Sequence, residues 1–122
     1  FGKPIGSFQA IKHLLADIQV QLEFARPVVY KAAYSLAADE PGRYRDVSYA
    51  KLASSKISKL AARSVIQAHG AIGYTWEADL QIFMKRIWFL NIFWGSHSWH
   101  LNRLEEELLS PSSKIGLGTS FV

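Results

Sequence analysis

Cysteine is absent from the 122-residue chain, and proline occurs only 4 times. Without a thiol the chain can form no disulfide framework, and it offers no thiolate as a metal ligand or nucleophile. The lack of cysteine fits a cytoplasmic protein, which is the location we expect. The few prolines, together with apolar residues that recur every three or four positions, favour helices throughout.

The sequence also has no long uncharged apolar run and no strong excess of one charge. Its longest apolar run, Ile87 to Trp94, is interrupted by Asn91 and is too short to span a bilayer. No signal peptide is visible. The net charge is only +4, and the basic residues are spread along the helical patterns. We therefore expect neither a membrane nor a nucleic-acid partner.

The chain contains enough apolar sequence to build one core. Hydrophobic residues make up 49% and charged residues 20%, which is typical of one globular domain rather than a disordered tail. Aromatic residues reach 13%, with 4 tryptophans, and a surplus of this kind often covers a partner surface or a ligand. Because the sequence starts on Phe1 rather than methionine, we expect it to be part of a longer polypeptide.

The first helix is predicted to begin after a cap at Ser7. Pro27 lies inside the pattern and removes one backbone hydrogen bond, so we expect a kink there. The apolar residues alternate steps of three and four, as on the contact face of a helical bundle, at Phe8, Ile11, Leu15, Ile18, Leu22, Ala25, Val29, Ala32 and Leu36.

Three further helices are predicted, the second capped by Asp46, the third by Thr75, and the fourth following the GSHS break. The third should be long, and the fourth shorter and directed inward by Trp99, Leu101, Leu104 and Leu108. Residues 1–110 are therefore predicted to form one all-α antiparallel bundle, and residues 111–122 an irregular tail. The breaks between helices should fall near Pro41-Gly42, Gly70-Gly73 and Gly95.

Two local patterns carry possible chemistry, and each has a plainer explanation. The turn after Gln67 gathers an amide, an imidazole, glycines and aromatics, which could bind a flat aromatic ligand, but an ordinary helix–helix connection uses the same residues. His97 and His100 have the spacing of metal ligands, but no third ligand is nearby, so we predict no metal site.

The third helix is apolar on every side from Ile87 to Trp94, which predicts burial against another domain or subunit and self-association.

The chain contains the motifs FG-x-PI-x-x-FQ and Q-x-HG-x-x-GYT and the segment AKLASSKISKLAARSVIQAHGAIGYTWEADLQIFMKR. In these stretches it resembles the carboxy-terminal helical domain of the acyl-CoA dehydrogenase family. The resemblance runs in order from Phe1 to about Leu109. It implies a four-helix bundle that here lacks most of its first helix, which in the family precedes the FG-x-PI motif. It also implies α,β-dehydrogenation of an acyl-CoA thioester, in which a carboxylate removes the α-proton and FAD accepts the β-hydride.

The resemblance assigns FAD contacts to three places: Gln9, the segment from Gln67, and the pair Ser96 and Ser98. Gln9 matches a glutamine that contacts the dinucleotide, and the segment from Gln67 matches Q-x-x-G-G, which meets the FAD of a partner subunit. Ala71 replaces the second glycine of that motif, and its methyl group narrows the approach of the backbone to a cofactor. The cofactor-binding residues implied are Gln9, Gln67, Ala68, His69, Gly70, Ala71, Ser96 and Ser98.

The family's catalytic glutamate opens an E-G-T segment, which aligns with Trp94-Gly95-Ser96. Tryptophan cannot accept a proton, so no catalytic residue is expected in this chain. Some family members carry the glutamate on the bundle's first helix, and others pair a catalytic subunit with one that lacks the base. The ending WGSHSWHLNRL is similar to that of bacterial dehydrogenases of steroid side-chain and other bulky CoA thioesters.

Two functions are therefore expected as alternatives. The first is a fragment or subunit of an FAD-dependent acyl-CoA dehydrogenase, inactive alone, whose partners are an acyl-CoA substrate and identical or related subunits. The second is a non-catalytic helical association module without flavin.

Overall fold

The structure is a computed structural model that describes residues 2–111 and 113. These residues form helices and no strand, which confirms the all-α prediction. The helices are α1 (Gln9–Ala37), α2 (Arg43–His69), α3 (Leu80–Ile92) and α4 (His97–Leu108), with two 3₁₀ turns at Ile5–Ser7 and Gly70–Tyr74. All three breaks between helices lie where the sequence predicts them. The predicted tail, 111–122, lies almost entirely outside the described residues.

Helices α1 and α2 form a long antiparallel hairpin, and α3 and α4 both pack on α2. The Ser35 hydroxyl of α1 contacts Asp46 at the start of α2, and Gln21 lies opposite the stretch around Leu60. Two helices are long rather than the three expected, because α3 starts only at Leu80. The expected antiparallel arrangement is therefore confirmed with a shorter third helix.

The three predicted helix caps are wrong, each for a local reason. Ser7 ends a turn in which its backbone N–H donates to the Pro4 carbonyl oxygen, and α1 starts after Phe8. Asp46 lies in the first turn of α2, after Gly42 at the cap position, where its charge still favours the helix dipole. The Thr75 hydroxyl donates back to Ile72, so it closes the preceding 3₁₀ turn instead of capping α3.

The buried face of α1 lies beside the predicted seam and overlaps it only in part. Ala25, Ala32 and Ser35 are the buried residues of α1, whereas the predicted Leu15 and Leu36 are exposed. Helix α1 carries two neighbouring apolar stripes, and periodicity alone does not say which one faces α2. The small side chains on the chosen stripe let the two long helices approach closely. Helix α1 is continuous through Pro27, and the kink there stays a prediction.

Helix α3 exposes most of its apolar residues. Its one buried residue is Asn91, which is 8% exposed, whereas Ile92 is 70% exposed. The Asn91 side-chain N–H donates to the Ile87 carbonyl oxygen at 2.7 Å and lies 3.4 Å from the Ser58 hydroxyl on α2. Asn91 therefore faces α2 on the same helix face as the half-buried Leu80, Met84 and Ile87, whereas Ile82, Phe83 and Ile92 are exposed.

In α4, Leu104 is buried and Leu108 half-buried as predicted, but Trp99 and Leu101 are exposed. Their predicted inward direction is wrong because α4 packs mainly on α2, which covers one face of it. Among the described residues, no helix is both long and apolar enough to cross a membrane.

Candidate functional site

The turn between α3 and α4 carries Trp94, the residue that the resemblance aligns with the family's catalytic base. The backbone of Trp94 is left-handed, with φ of 59°, and that of Gly95 has φ of 109°. The Trp94 side chain is 85% exposed. A bulky residue seldom adopts this conformation, because its Cβ crowds the following carbonyl oxygen. The turn is therefore held by contacts other than burial of its own side chain.

Lys51, from the middle of α2, closes the end of α3. Its ammonium donates to the carbonyl oxygens of Leu90 and Phe93, the second at 2.9 Å. These carbonyls belong to the last turn of a helix, where they have no partner within the helix. A cation there also interacts favourably with the helix dipole. Burial lowers the pKa of Lys51, since desolvation disfavours its charged form.

His100 of α4 holds the next carbonyl along the chain. Its Nε2 lies 3.1 Å from the Trp94 carbonyl oxygen, and its Nδ1 lies 3.1 Å from the Ser48 hydroxyl. Because a carbonyl oxygen can only accept, we assign the ring proton to Nε2. The imidazole is 4% exposed, and burial lowers its pKa, with the charges of Lys51 and Arg103 acting in the same direction. The hydrogen bond to Trp94 opposes this shift.

Ser96 and Ser98 begin α4. The Ser96 hydroxyl accepts a hydrogen bond from the Trp99 backbone N–H at 3.2 Å and is the one described side-chain helix cap. As a donor the same hydroxyl remains available to a ligand. Ser98 is exposed in the first turn of the helix. Both implied contacts are therefore on the surface, beside Trp94.

Three aromatic rings form a stack along this edge. The Phe89 and Phe93 centroids are 4.8 Å apart, and those of Phe93 and Trp94 are 4.7 Å apart. The Arg86 guanidinium lies over Phe89 at 5.6 Å. All three residues are exposed. The arrangement offers apolar aromatic surface rather than an acid or a base.

The second predicted group of FAD contacts lies at the end of α2. Gln67, His69, Gly70 and Ala71 are exposed, and Ala68 is half-buried. His69 Nδ1 lies 2.8 Å from the Val65 carbonyl oxygen, so the ring is tied to its own helix. The Gly70 backbone has φ of 62°, and a side chain built there would meet nothing within 4 Å. A ligand can approach this backbone closely.

The structure brings some of the implied contacts together and separates others. Gln9 is exposed in the first turn of α1, at the same end of the antiparallel hairpin as Gln67. Ser96 lies near Lys51, because that lysine contacts Phe93. At 1.5 Å per residue, Lys51 and Gln67 are roughly 25 Å apart along α2. The eight residues therefore form two surfaces rather than one pocket.

His97 and His100 do not face one another as metal ligands would. His97 is exposed, and both nitrogens of His100 are engaged with protein atoms. The described residues contain no group of three or more side chains that could hold a metal ion.

Ser48 and Lys51 were not predicted as site residues. Both lie on the inner side of α2, where a polar residue among small ones signals a tertiary partner. A groove of about 600 Å³ between α1 and α2 was not predicted either; Val28 and Leu52 are among its apolar lining residues, and Lys56 and His97 also line it.

Comparisons with known proteins agree with this architecture. The family described as "Acyl-CoA dehydrogenase, C-terminal domain" matches residues 1–109. Acyl-CoA dehydrogenase IpdE2 of Mycobacterium tuberculosis is 44% identical over 86 residues, covering 70% of this chain and 25% of the relative. Its counterpart in Mycolicibacterium smegmatis is 39% identical, covering 88% and 33%.

Acyl-CoA dehydrogenase FadE34 of Mycobacterium tuberculosis is 40% identical over 106 residues, covering 85% of this chain and 15% of the relative. The chain thus spans a third or less of the length of these curated relatives. With a family match over nearly all of its length, the chain belongs to the acyl-CoA dehydrogenase family, whose C-terminal domain it represents.

Proposed function

We propose that this chain is the carboxy-terminal helical part of an FAD-dependent acyl-CoA dehydrogenase, which introduces an α,β double bond into an acyl-CoA thioester. The family match over residues 1–109 is the observation that carries the proposal. When bound, FAD supplies the acceptor for the β-hydride. The residues of this chain contribute binding, orientation and contacts between subunits.

The residues proposed to hold FAD fit such a ligand. At the end of α2, the exposed Gln67 amide can donate and accept, and Gly70 leaves its backbone open to close approach. Gln9 adds a second exposed amide at the same end. On the other surface, Ser96 and Ser98 present hydroxyl groups beside the start of α4. The roughly 25 Å between the surfaces supports contacts to two different FAD molecules, as in an oligomer of the family.

The catalytic base is proposed to lie outside this chain. Trp94 occupies the base position, and its indole N–H can donate but cannot take a proton. The turn that carries it presents carbonyl groups to Lys51 and His100, which are donors there. A carboxylate from another helix or a related subunit would remove the α-proton.

Association through α3 is supported by its exposed apolar residues, of which Ile92 and Phe83 are the most exposed. Burying such surface contributes about 25 cal/mol per Å². This observation also favours the second candidate, a helical association module without flavin. Sedimentation of the purified chain tests association directly: we expect a dimer or larger oligomer, and a clean monomer would argue against it.

Ligand competition separates the two candidates. The purified chain should bind FAD weakly through its adenosine-side contacts, so ADP should compete and riboflavin should not. Gln67→Ala should weaken this binding. Asn102→Ala removes an exposed amide from α4 and serves as the matched control that leaves binding unchanged. Equal competition by riboflavin, or equal loss in the two variants, would contradict the assignment of these contacts.

Activity is tested by dye reduction with the purified chain, FAD and a panel of acyl-CoA thioesters. We expect no turnover, since a base contributes only where the reacting groups are already held together. Turnover by this chain alone would show that the catalytic machinery lies within it. A longer parent protein purified without flavin colour would favour the association module instead.

A further inference from the structure

The residue type at position 94 is not what a helix end requires. A helix that ends in a left-handed residue usually has glycine there, because glycine has no Cβ to clash. At the end of α3, the left-handed position holds Trp94, and Gly95 follows it. The stacking of Trp94 on Phe93 covers little of its indole, which stays 85% exposed. Neither capping nor burial therefore accounts for a tryptophan held in this conformation.

Side chains from outside α3 hold the carbonyl groups on the approach to this residue. Lys51 on α2 binds those of Leu90 and Phe93, and His100 on α4 binds that of Trp94. The Ser48 hydroxyl, on α2 one turn before Lys51, contacts the other nitrogen of His100. Two helices thus fix three carbonyl oxygens within five residues of chain.

We propose that Lys51 and His100 are positioning residues, which hold the Trp94-Gly95 turn in its left-handed form and thereby fix the direction of the Trp94 indole. The proposal rests on the proposed function for its purpose, because that function puts Trp94 at the position of the catalytic base, next to the thioester. On this view Trp94 is a wall of the acyl site, and α2 and α4 set its angle.

The glycine after Trp94 fits this arrangement. A Cβ on Gly95 would lie 2.9 Å from His100 Nε2 and 2.9 Å from a ring carbon of Trp99. The absence of a side chain at position 95 is therefore what lets the imidazole reach the Trp94 carbonyl oxygen. Gly95, His100 and Lys51 act on the same short segment from three sides.

Hydrogen exchange of the 122-residue chain tests the proposal with three lysine variants. Lys51→Met keeps the length of the side chain and removes its donors, Lys51→Arg restores donors, and Lys59→Met is the matched control on the exposed side of α2. We expect Lys51→Met to speed exchange of the hydrogen-bonded amides around this turn, those of Phe93, Trp99 and His100, by about tenfold or more, as loss of hydrogen bonds from a charged donor implies. Lys51→Arg should restore most of the protection, and Lys59→Met should leave it unchanged.

A local rise in exchange supports positioning, whereas an equal rise across α1 and α2 would show a general loss of stability and overturn the proposal. No change at the amides of Phe93, Trp99 and His100 would overturn it as well. A second readout is the near-ultraviolet circular dichroism of Trp94, taken as the difference between each protein and its Trp94→Phe version. This signal should collapse in Lys51→Met and in His100→Phe, and a signal that persists in both would contradict a role in fixing the indole.

Neither measurement uses FAD or an acyl-CoA. The positioning role can therefore fail while the FAD competition experiment succeeds, and it can hold if that experiment fails.

Discussion

Two of the three connections between helices, the one after α1 (the first turn) and the one after α3 (the second turn), contain the same backbone conformation at two very different residues. Asp39, after α1, has φ of 52°, and Trp94, after α3, has φ of 59°. Aspartate tolerates this conformation because its short polar side chain can bond locally, and Asp39 pairs with Arg43 at 3.2 Å. Tryptophan has no such local partner. The first turn is held by side chains of the two helices that it joins, whereas the second is also held by Lys51 from α2, a helix that it does not join.

The contacts around each turn differ in the same way. At the first, Arg43 at the start of α2 donates to the carbonyl oxygens of Asp39 and Glu40 at 3.2 and 3.0 Å, and Lys31 lies 2.6 Å from Glu40. At the second, His100 of the following helix and Lys51 of α2 bind backbone carbonyls. The first turn is therefore held within its own pair of helices, whereas the second is also tied to a third helix.

The largest expected effect comes from changing Gly95 to alanine. The new Cβ would be both in a positive-φ conformation and 2.9 Å from His100. We expect the free energy of unfolding to fall by about 3 kcal/mol, the sum of backbone strain and overpacking. Urea denaturation measures it. Gly70→Ala is the matched control, since its φ is also positive but nothing lies within 4 Å, and it should cost about half as much. Equal losses in the two variants would show that contact with His100 is unimportant.

The next largest effect is expected from exchanging the residue types at the left-handed positions of the two turns, Asp39 and Trp94. Asp39→Trp should lower the free energy of unfolding by about 1–2 kcal/mol, the strain of a bulky left-handed residue without outside support. Trp94→Asn should change it by less than about 1 kcal/mol, because relief of that strain opposes the loss of stacking on Phe93. A large destabilisation by Trp94→Asn would mean that the tryptophan is retained for stability.

The sequence predicts the helices and their breaks because glycine and proline act locally. Pro41-Gly42 and the glycines at 70, 73 and 95 interrupt helices whatever surrounds them. The helix caps failed because a serine, threonine or aspartate can bond in several nearby ways, and only the folded backbone selects one. The predicted contact face of α1 was only partly right, because two neighbouring apolar stripes on the helix have the same period. These errors all concern which of several local solutions the tertiary structure chooses.

The candidate site was predictable only as far as the family motif reaches. Trp94 and Ser96 were placed by alignment with the E-G-T segment. Lys51 and His100 could not be placed in this way, because their partners are backbone carbonyls at least six residues away. Every residue has a carbonyl group, so the sequence does not indicate which one a side chain binds. Sites built from side chain to backbone contacts across helices need coordinates to be found.

Acid should loosen the second turn and leave the first intact. The folded pKa of His100 lies below its ordinary value of 6.5, so below that pH the unfolded chain takes up a proton first. Its contribution to stability is complete above about pH 6.5 and is lost as the pH falls below that value and through the folded pKa. Lys51 and Arg103, the charged groups that act on His100, are both cationic and disfavour its protonation. Urea denaturation across this range should show the decline, and His100→Gln, which cannot titrate, should flatten it. A decline of equal slope in that variant would assign it to other groups.

The smallest effect is expected from Glu40→Gln in the first turn. Hydrogen bonds from Lys31, and then from Ser35, lower the pKa of Glu40 below its ordinary value of 4.5, while Lys31 has its pKa raised above 10.5. A carboxyl with a lowered pKa contributes stability above its unfolded value and loses it as the pH falls through the folded one, so the loss should begin below about pH 4.5. The lysine's contribution persists at neutral pH and is lost only as the pH rises beyond 10.5. Since exposed ion pairs are weak and screened by salt, Glu40→Gln should lower the urea midpoint slightly at low ionic strength and not at all in about 1 M NaCl. A loss comparable to that of Gly95→Ala would mean that the first turn is held as tightly as the second, and the difference between them would then disappear.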